Sequence, residues 1–509
     1  MPITTAPADT RGTSAARSSR GRVGPIAIVD IGSNSVRLVI YESFSRIPAV
    51  VHNEKAICAI GRNMVTTGRL HDEGIVLALE ALGRFRMIAD AHHVELREAV
   101  ATAAARDASN GQEFVRRAEA TWGGPIRILS GEEEARLAAE GVLAGIPEAD
   151  GLVADLGGGS LDMVTVKAGK TGKAVTLPFG PLRLMDVAHG SADKARDVVD
   201  KGLDALDALG PLEGRSLYAV GGVWRSFARV DMEEIDYPLH VLHDYEIPRA
   251  RALRMCKAIA NLSRKSLDRM KIISRRRAEA LPYGAVVLER LLLASGLKSM
   301  VISAYGLREG LLHEQLPLDE RSRDPLIAFA EDANRRMSRA PAHAEEMFRW
   351  LQPVFPGEKD DERRIRLGVS LFSDIGWRRH PDDRAVGAFN QVLTAPFTGV
   401  SHRSRMIIAT AIFHRYSGDE DFTRDMALRL RLSEEDSEFA LRVGLAARFA
   451  FALSASAVGE LPHYKLRMTP TRVLLEVSRR REMIAGDPVQ KRLGALAAML
   501  SRKGEILIG

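Results

Sequence analysis

The chain has 509 residues, 46% of them hydrophobic and 27% charged, with a formal net charge of +6. At about 150 residues per domain that length supports about three packed units, and the balanced composition excludes fibrous or broadly disordered architectures. Only Cys58 and Cys256 are present, in neither a CxxC nor a Cys/His spacing, and no apolar run reaches the roughly 18 residues that cross a bilayer. A zinc centre, a disulfide framework and a membrane span are therefore not expected, and a reducing, cytoplasmic setting is.

Residues 1–24 are rich in Ser, Thr, Ala and Arg and lack the uninterrupted apolar core of a secretory signal. They read as a flexible basic arm. Two α/β units are expected next, at 25–145 and 146–316. In the first, the hairpin IAIVDIGSNSVRLVI precedes a helix over Gly74–His92, a strand at REAVAT, a helix reaching Trp122, a strand at PIRILS and a helix from about Gly131 to Leu143. In the second, the hairpin LVADLGGGSLDMVTV precedes a helical stretch over Ala192–Leu209, the strand SLYAV, long helices between Arg249 and Leu293, and the strand SMVISA. A linker is expected at Asp319–Asp324, between Pro317 and Pro325. Amphipathic helices dominate 325–509, with a short β segment at KLRMTPTRVLLEV.

The two hairpins align residue for residue: Asp30 with Asp155, Gly32 with Gly157 and Ser35 with Ser160. A glycine- and serine-rich tip lets backbone N–H groups approach an anion, and the adjacent carboxylate can hold the metal that accompanies phosphate. Two facing tips would clamp a phosphate. In ILSGEEEARLAAEG, Ser130 and Glu133 have the spacing of a capping box, and acidic residues in a first turn complement the helix dipole without any catalytic role. Position alone leaves the choice among Glu132, Glu133 and Glu134 open.

The segments DIGSNSVRL, ATAAAR, SGEEEARL, DLGGGSLDMV, PFGPLRL and SAYGLREGLL follow one another as in the exopolyphosphatase and guanosine pentaphosphate phosphatase (Ppx/GppA) family, which the chain resembles from Ile26 to Leu312. The resemblance implies an α/β fold of duplicated ribonuclease-H-like halves, as in the actin, sugar kinase and Hsp70 superfold. It implies catalytic roles for Glu134, Arg106 and Asp162, and metal ligation by Asp155 and Asp30. Phosphate would be held by Gly32, Ser33, Asn34 and Ser35, by Gly157, Gly158, Gly159 and Ser160, and by Gly221 and Gly222. The guanidinium of Arg106 has the planar fork that suits phosphate oxygens. The implied activity is that of an exopolyphosphatase, a phosphoanhydride hydrolase acting on inorganic polyphosphate with Mg2+ or Mn2+, as a cytoplasmic homodimer.

Two positions depart from the family pattern. Asp162 stands where a glutamate is usual, and Val223 followed by Trp224 replaces the usual threonine after Gly221-Gly222. They motivate one alternative, a non-hydrolytic, actin-like nucleotide-binding regulatory protein, and they favour recognition of phosphate over recognition of guanosine. The resemblance itself leaves 5′-phosphohydrolysis of guanosine pentaphosphate at the same centre as the nearest alternative activity. The C-terminal part resembles an HD-like domain, but His343, His380, His402, His414 and His463 are not followed by Asp, so it is expected to be degenerate and to serve docking and dimer contacts. The basic runs Arg275–Arg277 and Arg378–Arg379 lack interleaved aromatics, so neither a nucleic-acid nor a membrane partner is expected.

Overall fold

The computed structural model describes residues 24–270, 272, 275–418 and 428–509. The basic arm up to residue 23 and the side chains of Arg275 and Arg276 lie outside the described residues. The first sheet is built from β1 (Ile26–Ile31), β2 (Ser35–Tyr41), β3 (Val50–Ile57), β4 (Leu96–Ala101) and β5 (Arg127–Ile128), in the order β3-β2-β1-β4-β5. The second contains β6 (Gly151–Leu156), β7 (Leu161–Lys167), β8 (Lys170–Leu177), β9 (Ser216–Val220), β10 (Tyr245–Pro248) and β11 (Ser299–Ile302), in the order β10-β11-β9-β6-β7-β8. Each sheet is thus an antiparallel meander whose first strand is extended by parallel neighbours, and only the edge strand β10 breaks the repetition.

The central strands carry apolar side chains on both faces because helices cover both. In β1, Ile26, Ala27, Ile28, Val29 and Ile31 are all buried. Helices Asp72–Ala91 and Gly111–Trp122 close one face of the first sheet, while Gly222–Glu234, Arg249–Ala260 and Arg275–Ser295 close one face of the second. The inner faces meet a pair of crossing helices, Gly131–Gly145 and Leu307–Gln315. The first sends Ala135, Ala139, Val142 and Leu143 to the second sheet, and the second sends Leu307, Leu311 and Leu312 to the first. A division of the chain at residue 145 therefore separates each half from the helix that covers its inner face.

That crossing is close because two glycines sit in it. A Cβ on Gly141 would collide with the Gly306 carbonyl, and one on Gly310 with the Leu137 carbonyl. The anticipated linker contains a turn of helix at Leu318–Arg321, and Asp324 caps the following helix, Pro325–Met337, by accepting from the N–H groups of Leu326 and Ile327. Further helices lead to a small sheet of β12 (Lys465–Met468), β13 (Arg472–Val477) and β14 (Lys503–Ile508), whose last strand the sequence reading did not anticipate. Among the described residues no helix is long and apolar enough to cross a membrane.

Gly310→Ala should push the crossing helices apart at a point with no room to give. We expect a loss of about 1–3 kcal/mol in chemical denaturation, whereas Gly494→Ala, which meets open space, should leave the midpoint unchanged or raise it.

Candidate active site

Each hairpin closes with the same turn: Gly32 N–H donates to the Ser35 carbonyl at 3.0 Å, and Gly157 N–H to the Ser160 carbonyl at 3.0 Å. The two expected anion donors Gly32 and Gly157 therefore spend their N–H groups on the turn. Those of Ser33, Asn34, Gly158 and Gly159 have no acceptor among the described residues. The tips face each other, since a Cβ on Gly158 would lie 3.5 Å from Ser33 Cβ, and one on Gly159 would lie 3.6 Å from Ser33 Oγ. Both loops are anchored from behind. The Asn34 carbonyl accepts from Cys58 and Ala59, while Leu182 N–H donates to the Gly158 carbonyl at 3.0 Å and leaves Gly180 against the loop where no side chain fits.

Asp30 and Asp155 end the central strands and occupy matching rows. Across the second sheet the row reads Thr176, Asp162, Asp155, Val220; across the first it reads Lys55, Arg37, Asp30, Val100. The same backbone thus presents a hydroxyl and a second carboxylate in one half and two cations in the other. Arg37 is the repeat counterpart of Asp162, seven residues after the aspartate in both copies. The repeat makes it visible in the sequence, yet it was not among the anticipated residues.

On the carboxylate side, Ser130 and Glu133 form the capping box, with Ser130 Oγ accepting from Glu133 N–H at 3.1 Å and Glu133 Oε2 accepting from Ser130 N–H at 2.9 Å. Glu133 is thereby spent on the helix end, while the next residue, Glu134, is buried in the cleft. Arg106 donates to the Leu129 carbonyl at 2.9 Å and lies 3.6 Å from Glu134 Oε2. Buried Asp162 accepts from Ser160 Oγ at 2.7 Å. Glu134 Oε2 and Asp162 Oδ1 are buried without a hydrogen-bond partner among the described residues. Burial, reinforced by the charges of Asp162 and Asp155, holds the Glu134 carboxyl well above its ordinary pKa. Burial and Asp162 raise Asp155 to about 7.

The opposite side is cationic. Arg308, from the crossing helix, reaches Asp30 at 3.4 Å, and its buried Nε has no hydrogen-bond partner among the described residues. Desolvation and the guanidinium groups of Arg308 and Arg37 lower Arg225 to about 10. Lys55 falls to about 8 through partial desolvation and the repulsion of Arg277, Arg37 and Arg225. These residues lie far apart in sequence; Arg37 carried a signal there through the repeat, and Arg308 lies in SAYGLREGLL, where no role had been assigned to it.

Gly221 adopts φ 113° with Leu156 O so near that only glycine fits, and Gly222 faces the Arg277 guanidinium. Neither lines the cavity of about 240 Å3 that opens between Ser33, Arg106, Gly158 to Ser160 and Thr176. Trp224 is turned into the second core, where its Nε1 donates to the Gly284 carbonyl at 3.0 Å, and Val223 packs on Gly284. The bulk that follows the two glycines is thus a packing feature and does not fill the cleft.

Comparison with known proteins agrees with this geometry. Residues 27–319 match the Ppx/GppA phosphatase family and residues 326–507 the family described as exopolyphosphatase, C-terminal. Exopolyphosphatase 2 of Mycobacterium tuberculosis is 26% identical over 309 residues, covering 56% of this chain and 97% of the relative. Retrograde regulation protein 2 of Saccharomyces cerevisiae is 26% identical over 463 residues, covering 82% of this chain and 77% of the relative. The crystal structure of the Aquifex aeolicus Ppx/GppA family member superposes with a TM-score of 0.50 at 25% identity, covering 57% of this chain and 97% of that one. An exopolyphosphatase from Cytophaga hutchinsonii shares the fold, with a TM-score of 0.52 at 23% identity, covering 57% and 96%.

The crowding of carboxylates has a measurable cost. The folded metal-free protein keeps a proton on Asp155 that the unfolded chain, with its ordinary value of 3.8, has already released, so this group's contribution to stability falls as pH rises from about 4 through about 7. Asp155→Asn removes that limb. In thermal denaturation with a chelator present, the variant should melt above the parent at pH 8 and lose that advantage at pH 4; a variant less stable at both would refute the assignment.

Proposed function

The chain belongs to the Ppx/GppA phosphatase family, and we propose that it is a Mg2+-dependent exopolyphosphatase, hydrolysing the terminal phosphoanhydride bond of inorganic polyphosphate. The observation that carries this reading is the pair of unpartnered buried oxygens, Glu134 Oε2 and Asp162 Oδ1, beside Arg106 at one end of a cleft whose other end is cationic. A terminal phosphate between the tips would accept from the free N–H groups of Ser33, Asn34, Gly158 and Gly159. Arg106 would take its equatorial oxygens and hold Glu134 toward the attacking water.

Glu134 would remove the water's proton as the oxygen meets phosphorus, and a carboxylate with a raised pKa is the stronger base for that transfer. An in-line displacement puts the leaving oxygen opposite the attacking one. The departing chain would then lie along Arg37, Arg225, Arg308 and Lys55, whose charges offset the negative charge developing on the leaving oxygen. Catalysis would rest on position and electrostatics.

The donor set suits a hard divalent cation. Among the described residues no three acidic, His or Cys side chains converge as a complete metal site, so Asp155, with Asp30 or Asp162, would supply one or two oxygens and the substrate the others. A bound Mg2+ would neutralise the non-bridging phosphate oxygens. Guanosine pentaphosphate would use the same centre for its 5′ γ-phosphate. Parallel phosphate-release assays on long-chain polyphosphate and guanosine pentaphosphate, each with Mg2+, test the choice, and preference for the nucleotide would overturn the polyphosphate reading.

Glu134→Gln should lower turnover by about 10²-fold or more, because the amide keeps the shape but cannot accept the proton. Glu133→Gln should keep most activity, since glutamine still serves a capping box. If Glu133→Gln is the inactive variant and Glu134→Gln turns over normally, the catalytic residue is misplaced by one position.

A further inference from the structure

Hydrolysis needs only a terminal phosphate and one water, yet the cavity that opens from the tips at Arg106 is about 240 Å3, room for a phosphate and for more than a water beside it. Its inner wall is phosphate machinery: Ser33, Gly158, Gly159, Ser160, Arg106 and Thr176. Its outer wall is largely carbon, made by Met64 and Val65 of the first half and by Leu177, Pro178 and Leu182 of the second. Arg183, Asp186 and Asp107 stand around it as polar groups. Polyphosphate has no carbon to place against such a wall. Arg106, which lies 3.6 Å from Glu134 Oε2, lines this cavity and none of the cations Lys55, Arg37, Arg225, Arg277 or Arg308 does, so it opens beside the general base and away from the path of the departing chain.

We propose that this cavity is an acceptor site, and that the protein also transfers the terminal phosphoryl group to small alcohols. The inference rests on the phosphatase reading above. In the transfer, the acceptor hydroxyl oxygen bonds to the terminal phosphorus as the bond from that phosphorus to the bridging oxygen breaks. The electron pair leaves with the shortened chain on the leaving-side cations. The hydroxyl proton passes to the Glu134 carboxylate and from there to solvent. No oxidant or further reactant is needed, and the products are a phosphate monoester and a polyphosphate one unit shorter. Water and alcohol would compete for one position, and the carbon-lined wall favours the alcohol in proportion to the apolar surface it covers.

The test uses the full-length protein with tripolyphosphate, Mg2+ and either methanol or propan-1-ol, with orthophosphate and alkyl phosphate resolved by phosphorus NMR. The ester-to-orthophosphate ratio should be at least about ten-fold higher for propan-1-ol than for methanol at equal concentration, since the two alcohols differ by two methylenes and even one in an apolar pocket is worth about that much. Val65→Asp, which puts a charge on the outer wall, should pull the two ratios together. Orthophosphate as the sole product with both alcohols, or ratios that follow alcohol concentration alone, would overturn the acceptor site while leaving the phosphatase reading intact. No release of either product from tripolyphosphate or from long-chain polyphosphate would overturn both.

Discussion

Four carboxylates, those of Asp30, Glu134, Asp155 and Asp162, share one cleft, and their burial, reinforced at Glu134 and Asp155 by repulsion from the others, is the constraint around which the structure is organised. Isolated charges in such a place would protonate or draw in water. Here each meets a compensating group: Arg308 opposes the burial of Asp30, Arg106 that of Glu134, Arg225 that of Asp155, and the Ser160 hydroxyl that of Asp162. Compensation is incomplete, which leaves two carboxylate oxygens unpartnered. A fold that tolerates this cost in its free state stores affinity for whatever brings positive charge and hydrogen-bond donors into the cleft.

Duplication makes the arrangement economical, and divergence between the copies gives it direction. Two identical hairpins would form a symmetric clamp with no means of distinguishing an attacking group from a leaving one. Replacing the carboxylate at position 162 by a guanidinium at position 37, with Lys55 opposite it where the other half has Thr176, breaks that symmetry without altering the backbone. In the proposed reaction the acidic end would handle protons and the cationic end the departing negative charge. Direction along the cleft is therefore a property of side chains on a symmetric frame.

Much of this was legible in the sequence because it repeats or obeys local rules. The aspartates followed from the duplicated hairpin, and the role of Glu133 from its spacing to Ser130. The selection of Glu134 for the cleft depends on where the helix axis lies, which no local rule supplies. Arg225, Arg308 and Lys55 sit on three separate elements and converge only in the folded chain. The meander strands β3 and β8 escaped notice because both lie at sheet edges, where VVHNEKAI and KTGKAVTL carry polar residues that blur the alternation of a half-buried strand. The doublet Val223-Trp224 invited a functional reading that its burial against Gly284 does not support.

The helix that carries Glu134 is held along its whole length, and this ties the C-terminal region to the site. Its first turn is fixed by Ser130 and Glu133, and its middle by the glycine crossing with Leu307–Gln315. At its far end the Ala144 carbonyl accepts from Arg46 at 2.8 Å, placing a cation where the helix dipole favours one. The Gly145 carbonyl accepts from Gly399 N–H at 2.8 Å, a residue of the C-terminal region, and lies 3.2 Å from His243 Nε2. His402, also C-terminal, places its Nε2 3.0 Å from the His243 carbonyl and its Nδ1 3.1 Å from the Tyr237 hydroxyl. The C-terminal helices thus grip the second half and the end of this helix together. Glu134 Oε2 has no hydrogen bond among the described residues to fix its direction, so the aim of this carboxylate must come from the helix beneath it, and that helix is fixed by contacts from all three parts of the chain.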